Sequence, residues 1–220
     1  MTLSRRVIGM VKATHFGPTV LVVSISFTLA MTQLSFGNSF EIALAILAGQ
    51  CVVGWTNELV DQVRDTEAGR FKKPLVNSSV TRKQLQIGIA VALTAATLLS
   101  FWGPLGAGGG WLHLLGLGSA TVYNFWAKST WLSPLPYAFS FGALPWAIYS
   151  AANKSPAPWL LIDFALVSVS FHFLNVIKDL EWDVTQGIQG APQRLGKRGS
   201  FFAAATLGLA AVLLGISRPS

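Results

Sequence analysis

At 220 residues, with 52% hydrophobic and only 11% charged residues, the chain carries more apolar side chains than a water-facing surface can accommodate. Lipid is the solvent that suits it, which excludes an ordinary soluble domain. The net charge of +7 would suit nucleic acid, but the placement of the basic residues follows a membrane-topology rule instead, so no nucleic-acid partner is expected.

Crossing a hydrocarbon core takes about 20 mainly apolar helical residues, and seven stretches come close to that length. The first, 16–36, follows Arg5 and Arg6 as a signal peptide would, yet it is too long for a signal core and further spans follow it. The second, 42–60, contains Cys51, the only cysteine, which reads as a small buried residue without a disulfide framework. A long charged loop from Asp61 to Lys83 comes next. Thr81 and Gln84 resemble a capping box that opens the third span, 85–102, and Pro104 ends it. Gly106, Gly108, Gly109 and Gly110 read as a turn-rich outer loop before the fourth span, 111–127. Ser133, Pro134 and Pro136 open the fifth, 132–151, in which Pro145 predicts a kink. The sixth is 159–177, and a second charged loop from Lys178 to Ser200 leads into the seventh, 200–217. Continuous apolarity without the alternation of a membrane barrel favours helices. The expected fold is therefore all-α, one transmembrane domain over 1–220 with about seven spans. Trp55, Trp102, Trp111, Trp126, Trp131 and Trp159 lie near span ends, as interfacial anchors do.

With a cytoplasmic N-terminus and seven spans, 14 of the 16 Lys and Arg residues fall on the inner side, leaving only Lys154 and Arg218 outside. The expected location is the plasma membrane. The two inner loops, with Glu58 just before the first, hold seven of the nine acidic residues, so chemistry is expected at the inner face.

The acids are patterned. Asn57, Asp61 and Asp65 at the end of the second span match Asn175, Asp179 and Asp183 at the end of the sixth, both Asn-x3-Asp-x3-Asp, 118 residues apart. On a helix, residues four apart share a face, so each copy should present an amide and two carboxylates as a column. Ionisable groups at a membrane edge are expensive unless they pair or coordinate something. Magnesium suits them, because it takes oxygen ligands from one or two carboxylates and completes its shell with water and substrate phosphates. Arg70 and Lys73 after the first column, and Arg194 after the second, are candidates for outer phosphate oxygens. Lys72, Lys197 and Arg198 read instead as topology or lipid-headgroup residues.

Together, NELVDQVRD, GRFKKPL, YNFWAK, SPLPYAFSFGALP and NVIKDLEWD resemble the UbiA superfamily of intramembrane aromatic prenyltransferases, from the first span to about Gly199. The resemblance implies a helical bundle around a cavity open to lipid, two magnesium ions, a polyprenyl diphosphate donor and a separate small acceptor. It matches Asn57, Asp61 and Asp65 to the first metal motif and Asp179 and Asp183 to the second. Lys73 before Pro74 matches a diphosphate-contacting cation, and Tyr123 and Lys128 match a tyrosine and a basic residue after the fourth span. Three departures stand out. Glu58 replaces the family's usual aspartate after the first asparagine. Tyr123 and Lys128 are five apart rather than four. Family members commonly have more spans than the seven here, so the C-terminus reads as shortened.

The expected reaction is magnesium-dependent transfer of the prenyl group to an acceptor, aromatic by resemblance. Tyr123, Phe139, Phe141 and Trp146 are candidates to face an allylic cation, and His172 is a candidate proton acceptor, with core packing as the competing role for each. Internal capture of the cation as a terpene cyclase, transfer to a non-aromatic alcohol, and a non-catalytic membrane or transport protein stay open. The oligomeric state is not legible.

Overall fold

Apolar runs bounded by proline, glycine and charge form helices in the computed structural model, which describes residues 2–218. Among the described residues there are nine α-helices and no strand. In chain order these are α1 (Leu3–Ala13), α2 (Phe16–Met31), α3 (Phe36–Glu67), α4 (Arg82–Trp102), α5 (Gly106–Phe125), α6 (Leu135–Ala151), α7 (Pro158–Ile177), α8 (Leu180–Thr185) and α9 (Ala191–Ile216). A 3-10 turn, Ala127–Ser129, joins α5 to the approach of α6. The seven apolar stretches correspond to α2 to α7 and α9. Of these, α3, α4, α7 and α9 are each long and apolar enough to cross a bilayer, and α1 with α2, bent by 64° at their junction, makes a fifth candidate.

The boundaries have local causes. Ser35 accepts from the Asn38 amide and starts α3, and Thr81 with Gln84 makes the expected capping box at α4, with both reciprocal bonds present. The glycines expected in an outer loop are instead the first turns of α5. A Cβ at Gly109 would lie 2.6 Å from the Ala147 carbonyl, and one at Gly110 2.9 Å from that of Ser100. The absence of side chains lets α5 settle against α6 and α4, as small residues do between membrane helices. α6 continues through Pro145, whereas α9 is interrupted at Gly196, whose φ is 68°.

Neighbours in sequence pack as neighbours in space: α2 on α3, α3 on α4 and α5, α5 on α6, α6 on α7, and α7 on α9. Ile42, Ile46, Leu144 and Ile148 form the heart of the largest buried cluster, shared by α3 and α6. Large side chains such as Trp102, Phe202 and Ile216 stay exposed, as expected of a surface that faces lipid. With α4, α5 and α6 running between them, the C-terminal ends of α3 and α7 reach the same end of the bundle.

Candidate active site at the ends of α3 and α7

The first column sits on the last turns of α3, and its spacing works as expected: Asp61 and Asp65 are both buried, at 7% and 4% exposure. The second column is not a single helix. α7 stops at Ile177, where the apolar run gives way to Lys178 and Asp179, and Asp183 is carried by the short α8. Asn175 is consequently exposed on the last turn of α7, where it accepts from Lys178 at 2.9 Å. Asp179 turns back towards α3.

One cation cross-links the two halves, and others pair the acids of α3. The Arg70 guanidinium lies 3.4 Å from Asp65 Oδ1 through Nη1 and 3.3 Å from Asp179 Oδ1 through Nη2, and it stacks on the Trp182 ring. Lys128 donates to Asp61 Oδ2 at 2.7 Å, and Arg64 pairs with the other oxygen. The five-residue spacing from Tyr123 therefore does not turn Lys128 away, because the 3-10 turn brings it inward. Lys73 sits 3.2 Å from Glu58 Oε2 and 3.4 Å from Asp65 Oδ2. Burial alone would lower the pKa of Lys73, but Glu58 and Asp65 more than offset this and hold it above the ordinary lysine value. Asp183 accepts from Gln193 at 2.9 Å, and burial pushes its carboxyl up despite nearby Lys128.

The remaining candidates spread around this cluster. Asn57 pairs with His15 at 3.1 Å. Arg194 lies outside the cluster, donating to the Gln189 carbonyl at 2.7 Å and stacking on Trp131. Tyr123 meets Tyr137 and His172 edge-on, with ring centroids 5.2 and 5.6 Å away. His172 itself is buried, hydrogen-bonded to Ser133 at 3.2 Å and stacked on Tyr137, the expected company of a core histidine. Phe139 and Trp146 are half exposed. A cavity of about 640 Å³ opens beside the cluster between Lys12, His15, Glu58 and Lys73. A larger apolar groove of about 730 Å³ runs apart from the acids, between α3, α4 and α5.

Sequence reasoning missed Arg64 and three further participants. Glu58 was legible only as a departure, His15 is a lone histidine before the first span, and Gln193 carries no pattern at all. All three are joined to the site by the fold and not by spacing.

The donor set fits magnesium: it consists of carboxylate oxygens, and Asp65 Oδ2 is buried with no hydrogen bond and only the Lys73 ammonium, 3.4 Å away, as its partner. Among the described residues no three His, Cys, Asp or Glu side chains converge into a ready-made cage. Magnesium needs none, because it is ordinarily held by one or two carboxylates together with phosphate.

Residues 18–219 match the model of the UbiA prenyltransferase family. No curated protein matches the chain. A UbiA homologue from Archaeoglobus fulgidus bound to GPP and Mg2+ superimposes with a TM-score of 0.81 at 12% identity, over 94% of this chain and 76% of that one. The apo UbiA homologue of Aeropyrum pernix K1 gives 0.72 at 19% identity, over 99% and 79%. A structure of digeranylgeranylglyceryl phosphate synthase gives 0.72 at 14%, over 95% and 76%. At these identities the solved structures speak for the fold, and the family match over nearly the whole length speaks for descent: this chain is an integral membrane protein that belongs to the UbiA prenyltransferase family.

Proposed function

We propose that the protein transfers a prenyl group from a polyprenyl diphosphate to a small aromatic acceptor within the plasma membrane, with its site at the cytoplasmic face. The observation that carries this reading is the meeting of the two repeated motifs at Arg70, which reaches an aspartate of each. Magnesium, held by Asp61, Asp65, Asp179 and Asp183 with Asn57 beside them, would neutralise the diphosphate and stabilise charge developing on it. Arg70, Lys73 and Lys128, which here pair the acids, would meet phosphate oxygens, with Arg194 and Asn175 at the periphery.

In the reaction, the allylic carbon–oxygen bond breaks and its electron pair leaves with the diphosphate. The acceptor supplies the electrons of the new bond and loses a proton. Burial of Asp61, Asp65 and Glu58 keeps water away from the charges, which strengthens each interaction at the moment of bond breaking. Tyr123 borders the cluster with its ring already fixed by Tyr137 and His172.

The test is product analysis with protein in lipid nanodiscs, labelled prenyl diphosphates of several lengths, and a panel of acceptors. Asp61→Asn and Asp179→Asn should each lower turnover by about 10²-fold or more, the scale of losing one charge-stabilising group. Undiminished turnover in both variants would remove the assigned site. A prenyl product formed without acceptor would redirect the reading to internal cyclisation, and no diphosphate release at all would redirect it to a non-catalytic role. Arg194→Gln should change turnover far less than Asp61→Asn.

A further inference from the structure

α1 lies outside the acid cluster, where only Lys12 reaches the adjoining cavity, and outside the apolar run that follows it. At helical spacing, Leu3, Val7 and Val11 form one stripe, widened by Ile8, and all four are exposed, from 45% to 77%. Gly9 and Ala13 face the opposite way and are buried. A Cβ at Gly9 would come within 2.8 Å of Val80 and 2.9 Å of the Ser79 hydroxyl, so the helix is pressed directly onto the 77–80 loop. The Trp55 indole donates to the Met10 carbonyl at 3.0 Å and fixes the helix from α3.

Three cations flank the apolar stripe. Arg5, Arg6 and Lys12 make no ion pair with a carboxylate among the described residues, and α1 contains no acid. Arg5 reaches the Asn77 carbonyl at 3.3 Å. Between α1 and the loop lies a pocket of about 300 Å³, into which Arg5, Lys12, Ser4, Asn77 and Ser79 contribute polar groups. It combines two cations, hydroxyls and an amide beside an apolar face. The 64° bend carries this face away from the direction of α2.

We propose that α1 lies in the plane of the membrane interface and that its pocket with the 77–80 loop binds the phosphate of an anionic phospholipid. Water cannot be the partner of so large an apolar stripe at low cost, and acyl chains cover it without competing for the cations. A phosphodiester without a positive headgroup meets Arg5 and Lys12 with charge complementarity, whereas a choline headgroup would bring a like charge to them. The pocket shares Lys12 and Asn77 with the cavity beside the acids but is lined by none of the acids themselves.

The experiment releases the full-length protein from nanodiscs of phosphatidylcholine mixed with phosphatidylglycerol and counts retained lipid by native mass spectrometry. Wild type should retain phosphatidylglycerol in preference. The Arg5→Gln/Lys12→Gln variant should retain at least about five-fold less, the factor one basic residue contributes near an anionic surface. The charge-preserving Arg5→Lys/Lys12→Arg variant should keep it. A second arm places a spin label at Val7→Cys in a Cys51→Ala background, where collisions with oxygen should exceed those with a water-soluble nickel chelate. Equal retention in the double glutamine variant, loss of retention in the charge-preserving variant, or a label that behaves as if in water would each overturn the proposal.

Discussion

Glu58 occupies the position where the family's motif has a shorter acid, and the extra methylene changes its duty. At 2% exposure it accepts the Leu75 amide at 3.0 Å with one oxygen and Lys73 at 3.2 Å with the other, so it holds the loop after α3 in place. Glu58→Ala would leave a buried amide without a partner, at a cost of about 1–3 kcal/mol. Thermal unfolding in detergent should record the loss. Asp183 behaves differently. Burial raises its carboxyl, so the folded protein holds that proton more tightly than the unfolded chain does. Its contribution favours the fold only below the unfolded pKa and is lost as pH rises through the folded one. Asp183→Asn should therefore melt above wild type at neutral pH while losing turnover, and the difference in melting should close as pH falls through the carboxylate range. Spacing picked out Asp61, Asp65, Asp179 and Asp183 because the two copies repeat, and Arg70 reaches one aspartate of each. Glu58 and Gln193 escaped because their partners lie on loops whose path no periodicity encodes.

Helices were legible where long apolar stretches left no other way to satisfy the backbone in lipid. Seven stretches became seven helices, and the capping box of α4 was visible in two residues. What stayed hidden depended on contact between elements. The glycines before residue 111 resembled a loop because nothing in their order discloses the carbonyls they approach. The break between α7 and α8 was invisible for a similar reason: Asn-x3-Asp-x3-Asp repeats as if on one helix, yet only the first copy stays helical throughout. The junction of α1 and α2 is held by another close approach. A Cβ at Gly54 of α3 would sit 2.6 Å from the Thr14 backbone. Gly54→Ala should cost about 1–3 kcal/mol through overpacking. It should also weaken binding at the site, because Thr14 is followed by His15, the partner of Asn57. Thermal unfolding and substrate affinity, measured on the same preparation, would check both effects.

For the molecule as a whole, the acids and the topology depend on one another. Three helices between the ends of α3 and α7 bring two distant segments to one rim. Their only shared side chain among the described contacts is Arg70, a flat, forked cation with one prong for each partner. A lysine there would keep the charge but could clasp a single oxygen neighbour at a time, leaving α8 untethered from α3. Arg70→Lys should thus slow turnover by an order of magnitude or so, the range seen when a group supporting a metal ligand is lost, with little change in melting temperature, whereas ordinary charge conservation would forecast no effect. In a background where the other seven tryptophans are replaced by phenylalanine, fluorescence of Trp182 should report the loss of its guanidinium partner.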